Sequence, residues 1–132
     1  MRASQIAVAA CVCLFASSAL ADVEKAPVAS PAAGYSATKP HTIVVRAEVT
    51  LVNTCWSNPR LEPMVSGDLP NRTIGFAAMA DNSKGHLCGM IIRRVGVCAE
   101  TSAYPNTARN VVVVGSNGRL RTTIRRTARN CG

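Results

Sequence analysis

The chain has 132 residues, a formal net charge of +8 and only 4% aromatic side chains. A hydrophobic share of 48% excludes a disordered polyelectrolyte. The scarcity of aromatics argues against single-stranded nucleic acid as a partner, because unpaired bases need stacking platforms.

The first segment has the make-up of a secretory signal peptide over residues 1–21. Met1-Arg2 is a short positive start, Ile6 to Phe15 is apolar, and Ala19-Leu20-Ala21 is a small-x-small cleavage site. The apolar run is about half the ~20 residues that a bilayer-spanning helix needs. Cleavage after Ala21 implies a secreted or periplasmic protein of about 110 residues, one domain in size. Cys11 and Cys13 leave with the signal, whereas Cys55, Cys88, Cys98 and Cys131 stay. In an oxidising compartment these form two disulfides, in any of the three pairings that four cysteines allow.

Residues 22–41 read as a flexible arm by composition. Pro27, Pro31, Pro40, Gly34 and many alanines give no apolar period, so the folded domain is expected over 42–132. The first strand follows, because Ile43, Val45, Ala47, Val49 and Leu51 alternate with Val44, Arg46, Glu48 and Thr50. Pro59, Pro63, Gly67 and Pro70 then predict a loop. Trp56, beside Cys55, is expected to pack on the cystine. Thr73 to Met79 reads as a second strand, Asp81 to Gly85 as a turn, and Leu87 to Val97 as a third strand with a bulge near Arg93-Arg94.

The last hairpin has the strongest local signal. Val111 to Val114 leads through Asn117-Gly118 to Arg119-Leu120-Arg121-Thr122-Thr123-Ile124-Arg125. Asn-Gly favours a two-residue turn with positive φ at both central positions, which sets Ser116 opposite Arg119 and Val113 opposite Thr122. Val111, Val113, Leu120, Thr122 and Ile124 then face inward, and Arg119, Arg121, Thr123 and Arg125 face outward. No segment shows a helical period. The elements add up to an all-β domain, a small antiparallel β-sandwich of immunoglobulin-like architecture with five or six strands.

Charge is segregated along the chain. Up to residue 85, Lys25, Lys39, Arg46, Arg60, Arg72 and Lys84 balance Asp22, Glu24, Glu48, Glu62, Asp68 and Asp81. Beyond it, arginines face a single acid, Glu100. Arginine presents a planar fork that suits phosphate, sulfate and carboxylate. Arg93, Arg94, Arg119, Arg121, Arg125, Arg126 and Arg129 are therefore the candidate anion-binding residues. The expected activity is that of an exported, non-enzymatic binding protein whose partner is an envelope lipid, a polyanion or an acidic protein, with peripheral membrane association among the options. The competing reading is that these arginines merely cover apolar neighbours and protect a sheet edge.

Other motifs carry less. His86-Leu87-Cys88-Gly89-Met90 offers copper-type ligands, but no histidine follows, so no metal or cofactor is expected. His41 and His86 with Glu48, Glu62 or Glu100 are the components of a small secreted ribonuclease, without a spacing that forces them together. Thr42 to Cys55 resembles the start of a chaperone-assembled fimbrial subunit. That resemblance implies strand donation through residues 22–52, although the chain ends in Asn130-Cys131-Gly132 and lacks the family's C-terminal aromatic.

Overall fold

The computed structural model describes residues 21–64, 69–85, 87–102 and 108–132. The predicted signal peptide up to Leu20 lies outside the described residues, as do Gly67 and His86. In chain order the strands are β1 (Asp22–Lys25), β2 (Val28–Ser36), β3 (Thr42–Leu51), β4 (Trp56–Pro63), β5 (Thr73–Asn82), β6 (Arg93–Ser102), β7 (Asn110–Gly115) and β8 (Gly118–Ala128). There is no helix among the described residues.

The eight strands form one curled, mixed sheet in the order β1-β5-β7-β8-β2-β3-β6, with β4 on the other edge of β5. This replaces the expected antiparallel sandwich of five or six strands. Two pairings are parallel, β5 with β7 and β2 with β8, and neither could be read from local pattern. Curling lets the inward faces of the two halves share one core. Ile43, Val45, Val49 and Leu51 of β3 meet Phe76, Ala78 and Ala80 of β5 and Val111 and Val113 of β7 there. The alternation expected for β3 is the one observed. Trp56 packs, half-buried, against the same cluster.

The arm expected at 22–41 is inside the fold. β1 pairs with the second half of β5, the chain crosses at Ala26-Pro27, and β2 inserts between β3 and β8. Ala26 and Val28 are fully buried. The prolines that suggested a linker sit where the ladder is broken anyway. Pro31 lies in the register shift between Ala29 and Ala32, beside Ser30 at φ 50°. Pro27 uses its carbonyl, accepting from the Thr50 amide at 2.9 Å. Likewise the expected Pro59–Pro70 loop begins as β4, an edge strand that tolerates proline because one side needs no donor.

The third predicted strand starts late. Leu87 to Ile92 is irregular and β6 begins at Arg93, where a bulge had been expected. The Cys55–Cys88 disulfide holds that segment beyond the end of β3, out of reach of a ladder partner. Cys98 pairs with Cys131, so of the three possible pairings the chain adopts Cys55–Cys88 with Cys98–Cys131. Closing loops of this length contributes about 3–4 kcal/mol each in the chain-entropy account.

The β7–β8 hairpin forms, with a register different from the Asn-Gly expectation. Gly115 stands opposite Gly118, Val113 opposite Leu120 and Val111 opposite Thr122. Ser116 and Asn117 are the turn centre, and Gly118 alone of the turn residues takes a positive φ, 126°. Tertiary docking explains the change. The Asn117 side chain accepts from the Val28 amide and donates to the Val28 carbonyl, both at 3.0 Å. The Ser116 amide donates to the Ala26 carbonyl at 3.1 Å. The slip is one residue on each strand, so side-chain parity, and with it the outward arginine row, is kept.

Candidate anion-binding face

β8 positions the arginine row. Arg119, Arg121, Thr123 and Arg125 alternate with half-buried Leu120, Thr122 and Ile124, and all four are exposed. Neighbours in such a row are about 7 Å apart. The cross-strand partners of Arg119 and Arg121 are Val114 and Val112, both nearly buried on the same face. Past Arg125 the β2–β8 register shifts, which places Arg126 in the irregular stretch before Ala128. Arg126 and Arg129 are exposed as well.

Arg93 and Arg94 do not join this row. They open β6, separated from β8 by β2 and β3 in the sheet order. Arg94 lies 3.9 Å from the Glu48 carboxylate, and Arg93 donates to the Trp56 carbonyl at 3.3 Å.

Ion pairing elsewhere leaves the row uncompensated. Asp22 and Glu24 meet Lys84, Glu62 and Asp81 meet Arg60, Glu100 meets Lys39, and Glu48 faces Arg94. Every acidic residue among the described ones is thus committed to another cation. Arg119, Arg121, Arg125, Arg126 and Arg129 have no carboxylate within ion-pair distance among the described residues. The Arg60 guanidinium, with help from Asn58, holds the Asp81 carboxyl below its ordinary range, which marks that pair as settled.

One arginine outside the predicted set belongs to the same face. Arg46 projects outward from β3, opposite Ala32, and β2 presents only Ala32 and Gly34 between it and Arg125. Gly34 is required there, because a Cβ would stand 2.8 Å from Ala128 Cβ and 3.0 Å from the Thr127 carbonyl. Arg46 and Arg125 line one shallow hollow of about 130 Å³ over this small-residue floor. Arg46 and Arg129 line a second, of about 450 Å³, walled by the C-terminal tail. The sequence signal was the outward parity of Arg46 on the first strand. Its place in the charge-balanced half concealed it, since Glu48 turns to Arg94.

The tail that walls this hollow is tied down by polar contacts as well as by Cys98–Cys131. Arg46 Nη2 donates to the Asn130 carbonyl at 2.8 Å, and the Asn130 side chain bonds Ser36 and Thr38. Glu100 accepts from Lys39 Nζ at 2.7 Å and from the Cys131 amide at 2.8 Å. Lys39 first, and the Cys131 amide second, hold the Glu100 carboxyl below its ordinary range.

The residues weighed for other chemistry are dispersed. Glu48, Glu62 and Glu100 are each engaged by a cation as above, and His41 is exposed beyond the end of β2 at φ 54°. Cys88 has its sulfur in the bond to Cys55, so the thiolate that a copper site would need is used. No cluster of metal-ligating side chains occurs among the described residues. The two disulfides fit an oxidising, extracytoplasmic compartment. Comparison with protein-family models, curated proteins and solved structures finds no match to this chain.

Proposed function

We propose that this is an exported, non-enzymatic binding protein that recognises an anionic partner through the outward arginines of β8, extended by Arg46 and Arg129. The observation that carries this reading is the charge accounting above. The described acids are all paired with other cations, while a row of guanidiniums stands exposed on a disulfide-braced sheet. Guanidiniums at strand spacing can each take a phosphate or sulfate oxygen pair, and the sheet fixes their separation in advance. Arg93 and Arg94 form a separate basic site in this reading.

The test is retention on immobilised heparin by the protein with Arg119, Arg121 and Arg125 all changed to Ser. A basic residue near an anionic surface contributes about 1 kcal/mol, so the triple variant should bind about 100-fold more weakly at fixed salt. Retention equal to the parent, in a variant whose circular dichroism is unchanged, refutes the assignment.

A further inference from the structure

The largest exposed apolar side chains of the described residues gather in one segment between a disulfide and a strand. Leu87 is 97% exposed, Met90 92%, Ile92 67% and Ile91 61%. The segment is nonetheless anchored. Cys88 is bonded to Cys55, the Thr54 amide donates to the Gly89 carbonyl, the Gly89 amide donates to Thr54 Oγ1, and Ile92 runs directly into β6. Four large aliphatic side chains held in water by a clamped loop mark a surface that is covered in use.

The chemistry around the loop identifies what covers it. Leu87 and Met90 are nearly fully exposed and Ile91 and Ile92 about two-thirds exposed, so these side chains project as tips. A protein partner would have to supply a matching cavity, whereas the hydrocarbon edge of a bilayer accepts aliphatic tips without shape complementarity. Arg93 and Arg94 follow immediately, both exposed, where guanidiniums would reach lipid phosphates while their stems stay in the apolar zone. The same end of the sheet carries Arg119. The hairpin tip docks on Ala26 and Val28, Pro27 bonds Thr50, and Leu51 stands opposite Arg93. The acids near this end are Asp22 and Glu24 beside Lys84, Asp81 beside Arg60, and Glu48, which lies 3.9 Å from Arg94 and leaves that side chain 74% exposed.

We infer that Leu87, Met90, Ile91 and Ile92 insert into the interfacial zone of an anionic lipid bilayer, with Arg93 and Arg94 at the level of the phosphates. The inference rests on the anion-binding reading and names a bilayer as the anionic surface.

The test measures co-sedimentation of the full-length exported protein with phosphatidylcholine vesicles with and without phosphatidylglycerol, alongside heparin retention. The parent should bind the anionic vesicles and leave the neutral ones largely unbound. Leu87→Ser/Met90→Ser/Ile91→Ser should lose at least about 100-fold in vesicle partitioning, the loss expected if even half the transfer energy of three apolar side chains is realised at the interface, and keep its heparin retention. These side chains are exposed, so the fold should survive. As a second readout, Trp56→Phe/Ile91→Trp should show a blue-shifted emission with anionic vesicles and quenching by shallowly brominated lipid. Undiminished vesicle binding by the triple loop variant overturns the insertion and leaves the anion-binding reading standing. So does a parent that binds heparin but no vesicle. Self-association that the loop substitutions abolish overturns it in favour of a second copy as the occupant. A parent that binds neither heparin nor vesicles overturns both readings.

Discussion

At the scale of single residues, Asn117 shows how one side chain sets the geometry of a hairpin. Its amide replaces a strand neighbour for Val28, satisfying a donor and an acceptor that are otherwise buried. Asn117→Ala should cost about 3 kcal/mol, since two main-chain groups lose their partners away from water. Urea unfolding should show this as a lower midpoint at an unchanged m value. An unchanged midpoint would mean that the hairpin tip is not what holds the crossover. The sequence announced a turn at this place through Asn-Gly. It could not reveal that Asn117 is occupied with Val28, 89 positions away. The cysteines behave similarly, because their oxidation was legible from number and context while their pairing depends on which strands meet.

At the scale of elements, proline and alanine content misled more than apolar alternation did. β3 was readable because one of its faces meets the core, so a period of two is enforced by burial. β2 lies between two strands and carries mostly small residues, Gly34 among them where a Cβ would meet Thr127 and Ala128, which removes the alternation a reader relies on. The C-terminal tail is another element with no periodic signal, and its docking should depend on pH. The Glu100 carboxyl is held below its ordinary range when folded, mainly by Lys39. Its contribution to tail docking is therefore fully present above the ordinary carboxylate range and lost as pH falls through the lowered, folded-state value. Hydrogen-exchange protection of the Cys131 amide should hold steady above pH 4.5, the ordinary value, and fall below it. Glu100→Gln should flatten that dependence. Constant protection into strong acid in the unmodified protein would contradict the docking described here.

At the scale of the whole molecule, the segregation of charge seen in the sequence carries over into space only for the arginines of β8 and the tail. The outward parity of Arg119, Arg121 and Arg125 was legible because a strand fixes which side chains share a face, and the two-residue change in pairing preserved it. Arg129 was named with them from the sequence, whereas that Arg46 would join them was not legible. It follows from β2 bridging β3 to β8 and from the Cys98–Cys131 bond laying the tail over the sheet. Arg93 and Arg94, near in composition, end up at another place because sheet order does not follow sequence order. Parallel pairing of β5 with β7 and β2 with β8 requires contacts between distant segments that no local pattern encodes.

The salt dependence of binding to a defined heparin fragment examines the unpaired arginine row most directly. Each guanidinium that displaces a condensed counterion steepens the log–log dependence of affinity on salt by about one. The account predicts that changing Arg119, Arg121 and Arg125 together to Ser lowers the slope by about three, as well as the affinity. A triple variant with the same slope as the unmodified protein would contradict it, whatever its affinity.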